Sequence, residues 1–308
     1  MRRWNGWGDE SIAVDLPAGS KAFLERAIGP GTPRPDASFE ATLATVPGPS
    51  APPHPLVSGD PEDRLRHARG QSLPDWVAVR SGRLGWLPDG VAHPATDEEV
   101  RDLLAWAAAT GTALIPYGGG TSVAGHLTRA PGAGPTVSLA LDRLADVGAV
   151  DLAGGIATFG AGIVGPALEA ALAGHGATLG HFPQSFDYSS LGGWIATRSS
   201  GQQSRGYGRI EDLFAGGHLE TPAGPLDLPS FPASAAGPDL RHGVRPPRGG
   251  GGGRGRHARG VDRDLPSRRP ARLDPGLRHR AAVTAERHPP GDRARGAEAI
   301  LAPAGPLR

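Results

Sequence analysis

The chain has 308 residues, 32 basic and 31 acidic side chains, a net charge of +1 and no cysteine. Disulfide and thiolate chemistry are therefore excluded, and no run of about 18 apolar residues offers a membrane-crossing helix. The start, Met1-Arg2-Arg3-Trp4-Asn5-Gly6-Trp7-Gly8, lacks the apolar stretch of a secretory signal, so a soluble cytoplasmic protein is expected.

The near-neutral total conceals an asymmetry. Residues 1–240 carry 16 basic and 25 acidic residues, whereas residues 241–308 carry 16 basic and 6 acidic. Such a break marks a boundary.

Residues 1–82 read as an irregular N-terminal arm, punctuated by Pro47-Gly48-Pro49-Ser50-Ala51-Pro52-Pro53. Short helices are expected at Lys21–Ile28 and Asp60–Arg69. Regularity begins near residue 85. Thr96-Asp97-Glu98-Glu99 is a capping box, in which hydroxyl and carboxylate each satisfy a backbone donor. Val100, Leu103, Leu104 and Ala107 follow on one helical face, and Gly111 ends the helix. Thr112–Ile115 reads as a strand, and Val137–Leu141 alternates like a half-buried one. Ile156–Phe159 is a third, ending in Gly160-Ala161-Gly162. Pro166–Ala173 reads as a helix, and Ser189 or Ser190 caps another over Leu191–Thr197. A strand runs through His218-Leu219-Glu220, with a turn at Thr221–Gly224. The alternation of helices and short strands is α+β. No Gly-x-Gly-x-x-Gly stands between a strand and a helix with an acid about 20 residues on, which argues against a Rossmann fold.

The stretch Pro116-Tyr117-Gly118-Gly119-Gly120-Thr121-Ser122 follows the apolar Ala113-Leu114-Ile115. Glycine backbone can approach a ligand closely, and successive N–H groups form an anion-binding nest. The stretch thus reads as a phosphate cradle, although glycines alone fit an ordinary loop equally well. Two more blocks share its polar character. One is Gly180-His181-Phe182-Pro183-Gln184-Ser185-Phe186-Asp187-Tyr188-Ser189-Ser190-Leu191-Gly192-Gly193-Trp194; the other is Thr197-Arg198-Ser199-Ser200-Gly201.

Together the three blocks resemble the FAD-binding half of the flavoproteins grouped with vanillyl-alcohol oxidase and p-cresol methylhydroxylase. Within that superfamily the likeness is strongest to the alkyldihydroxyacetonephosphate synthases (alkylglycerone-phosphate synthases), whose opening segment Trp4–Gly8 also resembles. The resemblance implies a two-subdomain PCMH-type FAD-binding domain over residues 83–240. It implies that Pro116, Tyr117, Gly118, Gly119, Gly120, Thr121 and Ser122 cradle the FAD pyrophosphate. Gln184, Ser185, Phe186, Asp187, Tyr188, Ser189 and Ser190, with Thr197, Arg198, Ser199 and Ser200, would line the flavin and the rest of the dinucleotide. A capped helix start after Tyr188 suits anionic charge, and Gly192 and Gly193 would let that helix pack closely. Some relatives hold FAD through a histidine in the cradle; here Thr121 stands there, so FAD is expected to be noncovalent. Arg198 serves equally well as a partner for a carboxylate or a helix end. His181 suits a structural role, Trp194 the core, and Trp4 and Trp7 an anchor for the arm. His126 has no evident partner, and no metal ligands are assigned.

From residue 241 the chain departs from the family. Residues 241–308 hold 16 arginines, 12 glycines and 9 prolines and no Phe, Trp or Tyr, too little apolar surface to offset ordering entropy. We read this tail as disordered and out of frame; the rival is a basic arm for a polyanion. The tyrosine and histidine cluster that the family uses for catalysis are not found, so no catalytic residue is assigned. The function implied is exchange of the acyl group of acyl-dihydroxyacetonephosphate for a fatty alcohol in ether-lipid synthesis, inactive in the chain as given. An FAD-linked oxidoreductase of 2-hydroxy acids such as lactate or glycolate is the alternative, and a non-catalytic fragment with a polyanion-binding tail is a second. The implied partner is a small lipid phosphate, with no specific nucleic acid and no transmembrane segment. A homodimer and a peripheral place at a membrane surface are both compatible with the family.

Overall fold

The computed structural model describes residues 2–12, 16–32, 34–130, 132–228, 297–300 and 302–303. The first 82 residues hold α1 (Ser20–Ile28), α2 (Phe39–Leu43), β1 (Val57–Ser58), α3 (Pro61–Arg66) and α4 (Leu73–Ser81). The two expected helices appear as α1 and α3, the latter ending three residues early. Helix α4 was not anticipated, yet its signals are local. Ser72 and Asp75 form a reciprocal capping box, Pro74 sits in the first turn, and Gly82 ends the helix at φ 66°.

Next come β2 (Gly90–Ala92), α5 (Asp97–Thr110), β3 (Ala113–Tyr117) and β4 (Thr136–Ala140). The sheet order is β1-β2-β4-β3. β2 and β3 run parallel to β4, and β1 closes the edge antiparallel to β2. β4 is central, so all five of its residues are buried. This corrects the half-buried alternation expected there, because a strand flanked on both sides and covered on both faces has no solvent face. Helix α5 starts on the Thr96 hydroxyl, which accepts from Glu99 N at 3.2 Å. The Glu99 carboxylate reaches back one residue further than expected, to Ala95 N at 2.6 Å. Leu103 and Ala107 are the buried residues of its apolar face, and Leu103 packs with Ala92, Val137 and Leu139.

The second half contains β5 (Val147–Asp151), β6 (Ile156–Phe159), α6 (Gly165–Ala173), β7 (Ala177–Thr178), α7 (Leu191–Thr197), α8 (Ser204–Tyr207), α9 (Ile210–Leu213), β8 (Phe214–Thr221) and β9 (Gly224–Leu228). Two short strands from the tail complete it, β10 (Ala297–Ile300) and β11 (Ala302–Pro303). The sheet β5-β6-β10-β8-β9 is antiparallel, and β11 pairs with β7. Apart from β10 and β11, the tail expected to be disordered lies outside the described residues. Phe159, Leu168, Leu172, Leu191, Trp194 and Ile210 form the core beneath this sheet. Each large side chain so buried contributes about 1.5–3 kcal/mol. The α+β class read from the sequence holds. Among the described residues no helix is long and apolar enough to cross a membrane.

Candidate functional site

Strand β3 ends at Tyr117, and Gly118-Gly119-Gly120 leave the sheet there. Tyr117 is buried, and its hydroxyl lies 3.1 Å from the Arg66 carbonyl and 3.0 Å from that of Arg69. Burial raises the pKa of this phenol, so it stays a neutral donor that fastens the strand end to α3. Gly119 rests against the Tyr188 carbonyl, and Gly118 against the Ser190 hydroxyl. Gly120 has φ +59° and lies over the Tyr117 hydroxyl. The Ser122 carbonyl accepts from Gln71 N at 2.6 Å, tying the far side of the turn to the loop before α4. His126, for which the sequence offered no partner, places Nδ1 3.2 Å from the Ser122 hydroxyl.

These contacts bound a cavity of about 480 Å³. Among the residues proposed from the sequence, Tyr117, Gly118, Gly119, Asp187 and Tyr188 line it. Gly162 and Val164, in the turn after β6, contribute another side. Two of its features stand at the C-terminal ends of the parallel strands: the cradle after β3 and Asp142 after β4. Open α/β sheets bind ligands at that end.

The other proposed residues sit elsewhere. Ser189 is buried, accepting from Trp194 Nε1 at 2.6 Å and donating to the Ser185 carbonyl at 2.8 Å. Ser185 Oγ in turn donates to Ser189 Oγ at 3.0 Å. Ser190 is the N-cap of α7. Gly192 fits against Ala161, where a Cβ would lie 2.8 Å from the Ala161 Cβ, whereas Gly193 meets only its own cap residue. Phe186 stacks on Trp194 with ring centroids 6.4 Å apart. Pro116, Gln184 and Ser200 are exposed, and Thr121 is half-buried. Thr197 donates to the Gly193 carbonyl within α7. Arg198 ends α7 in the left-handed region at φ 54°, and its guanidinium makes a two-point ion pair with Glu211 at 3.0 and 3.1 Å. Ser199 Oγ meets His181 Nε2 at 3.1 Å.

Sequence reading missed the basic lining. Arg2, Arg3, Arg66 and Arg69 all face the cavity, and the buried Nε atoms of Arg3 and Arg69 have no protein partner. The Arg2 guanidinium lies 5.4 Å above the Tyr188 ring, and Trp7 meets the same ring edge-on at 5.5 Å. Trp4 packs on Phe39 at 5.5 Å. The signal was the Arg2-Arg3-Trp4 start and the Arg64, Arg66, Arg69 spacing, but only folding carries the arm to the cradle. A second group missed from sequence is Asp63, His67 and His93. Asp63 pairs with His67 at 3.0 Å and with His93 at 3.1 Å, while His93 Nδ1 meets Asp142 at 2.9 Å. Burial pushes the His93 imidazole down, but its bonds to Asp142 and Asp63 outweigh this, and its pKa is raised. Burial likewise opposes ionisation of Asp63, and the two histidines outweigh it, so its pKa is lowered.

The site therefore combines a Cβ-intolerant glycine turn, orphaned guanidinium N–H groups and a cavity bounded by the N-terminal arm, the glycine turn and the turn after β6. These features fit a pyrophosphate-bearing cofactor, since backbone N–H groups and guanidinium forks both bind phosphate oxygens. Residues 88–226 match the family described as FAD binding domain. The chain thus carries an FAD-binding domain over these residues.

The chain is 40% identical over 179 residues to the alkyldihydroxyacetonephosphate synthase of Dictyostelium discoideum, covering 58% of this chain and 29% of that one. The Trypanosoma brucei brucei synthase is 27% identical over 261 residues, covering 74% and 42%. A solved structure of alkyldihydroxyacetonephosphate synthase in a P1 crystal aligns with TM-score 0.65 and 32% identity, covering 74% of this chain and 49% of that one. The FAD-linked oxidoreductase YgcU of Escherichia coli K12 is 42% identical over 94 residues, covering 30% and 19%. The chain thus spans less than half the length of each of these relatives.

Proposed function

We propose that the chain is the cofactor-binding part of a flavoenzyme related to the alkyldihydroxyacetonephosphate synthases, holding FAD noncovalently between the glycine turn and the N-terminal arm. The observation that carries this reading is the seating of Gly118 on Ser190 and of Gly119 on Tyr188, beside an arginine-lined cavity. In this reading the N–H groups of Gly118 to Ser122 face the pyrophosphate. Asp187 and Tyr188 bound the cofactor opposite them, and residues 1–82 act as an arm folded over the 83–240 domain. Arg3 and Arg69 supply the charge that balances the pyrophosphate. Arg2 over the Tyr188 ring and Trp7 against its edge keep water from that side.

The proposed reaction is exchange of the acyl group of an acyl-dihydroxyacetonephosphate for a fatty alcohol. When bound, FAD would supply the electron sink for that exchange without net oxidation. The similarity to YgcU supports a second reading, an FAD-linked oxidoreductase, for which we propose 2-hydroxy acids such as lactate or glycolate as substrates.

Purified chain should be incubated with FAD, gel-filtered and analysed for flavin. About one FAD per chain, released as free FAD by heat denaturation, is the expected result; colourless protein would refute the cofactor reading. In a full-length homologue, anaerobic D-lactate or glycolate should leave the flavin oxidised under the synthase reading, and bleaching at 450 nm would favour the oxidoreductase.

A further inference from the structure

Away from the cavity, α5 and the β8–β9 hairpin meet through a polar cluster. Asp97 opens α5; His218 and Glu220 lie two apart on β8, so both point to the same face. One ligand atom from each of these three residues falls within 4.8 Å of the others. The side chains of His218 and Glu220 are only 5% and 6% exposed. His218 Nδ1 lies 2.7 Å from Asp227 Oδ1 on β9, and its Nε2 lies 2.8 Å from Glu220 Oε1. Arg101, one turn along α5, bonds Glu220 Oε1 and Glu98. The second carboxylate oxygen, Glu220 Oε2, is buried and has no hydrogen-bond partner.

A buried carboxylate oxygen without a donor is costly, and here it belongs to a group of three residues with the ligand types of a divalent-cation site. We propose that Asp97, His218 and Glu220 bind a divalent transition-metal cation of the zinc class, which clamps the start of α5 to the β8–β9 hairpin. One imidazole nitrogen and two carboxylates suit such an ion better than calcium or magnesium, which favour oxygen alone. Asp227 holds Nδ1, directing Nε2 at the site; a carboxylate behind a ligating histidine is the usual second support of such centres. The Arg101 guanidinium is shared between Glu220 and Glu98, and its bond to Glu220 is to Oε1, which leaves Oε2 for the cation. In the absence of a metal, a proton on Nε2 bridges to Glu220. The ion replaces that proton and occupies Glu220 Oε2. Its role is structural, because the cluster joins the two sheets' subdomains at a distance from the glycine turn.

The test is equilibrium dialysis of the full chain against micromolar Zn²⁺, with thermal melting on the same samples. About one zinc per chain and a raised melting midpoint are expected. His218→Gln and Glu220→Gln should each lower zinc affinity at least tenfold, while His93→Gln should leave it unchanged. Zinc X-ray absorption of the unmodified chain keeps the question open to a decision even if a variant misfolds. A first shell of nitrogen and oxygen with one imidazole is expected. Two imidazoles would put the ion at Asp63, His67 and His93, and would overturn the proposal. So would the absence of stoichiometric zinc, which would leave the cluster an ion-pair network only.

Discussion

The backbone of Gly119 lies directly on the carbonyl oxygen of Tyr188, with no space between them for a Cβ. The glycine is thus required by the protein's own packing before any ligand is considered. The cradle after β3 and the loop before α7 form one unit, so displacing either moves the other.

Gly119→Ala should therefore act on both fold and cofactor. The inserted methyl has backbone on its far side and no flexible side chain to push away. Overpacking of this kind costs about 1–3 kcal/mol. Urea unfolding should show that loss, and flavin retained through gel filtration should fall by more than tenfold. Alanine at Gly206, whose Cβ would meet nothing within 4 Å, is the control and should retain flavin.

Ser189 separates packing from cofactor binding. Its hydroxyl is engaged by Trp194 Nε1 and by Ser185, leaving it committed within the fold. Ser189→Ala leaves a buried indole N–H without an acceptor, a loss of about 1–3 kcal/mol. A lower melting midpoint with unchanged FAD affinity is the expected pattern. A large affinity loss at unchanged stability would return Ser189 to the cofactor.

What could be read from the sequence was what neighbours in sequence decide. Thr96, Gly111 and the Leu103/Ala107 face delimit α5 because capping and periodicity act within a few residues. Ser190 marks α7 for the same reason. Ser72-x-x-Asp75 with Pro74 carried equal information for α4, and was passed over amid the prolines of the arm. The central place of β4 was not legible, since it depends on β2 and β3 pairing from 47 and 23 residues away. The site divides in the same way. Its glycine turn was evident as a motif, whereas Arg2, Arg3 and Arg69 reach the cavity only through tertiary packing. Ser189, Ser190 and Arg198 belong to the motif blocks, yet their side chains cap, buttress and pair within the protein. A motif marks a segment and does not say which of its side chains face the ligand.

Arg64 anchors the arm from inside. It is 1% exposed, and donates from Nε to the Pro88 carbonyl at 2.7 Å and from NH1 to the Pro47 carbonyl at 2.6 Å. Burial opposes its charge, with Asp89 nearby partly compensating. Arg64→Met keeps much of the volume but removes both donors. The expected destabilisation is about 1–3 kcal/mol, chiefly from the buried Pro88 carbonyl left unsatisfied. Limited proteolysis should then cut near Pro47 well before the 88–226 domain is degraded. Uniform degradation would show that the arm and domain unfold together.

Acid should expose a second buried group, His181. It is 1% exposed, and burial depresses its pKa to about 4 from an ordinary 6.5. Its Nδ1 has no partner, so nothing in the fold compensates a positive charge there. The unfolded chain takes up the proton below about pH 6.5, whereas the folded chain does so only near pH 4. The stability this histidine contributes is thus present above pH 6.5 and is lost as pH falls toward 4. Between pH 7 and pH 4.5 the loss amounts to about 2–3 kcal/mol. His181→Leu is less stable than wild type at pH 7 through loss of the Ser199 bond, but its stability should fall less steeply with acid by that amount. His93 has the opposite sign. Its raised pKa gives stability that is complete below about pH 6.5 and is lost as pH rises through the folded value. Urea unfolding from pH 4.5 to 8.5 should therefore show His181→Leu diverging from wild type on the acid side and His93→Gln on the alkaline side. Parallel curves for His181→Leu and wild type would mean that the imidazole is charged, or solvated, within the fold.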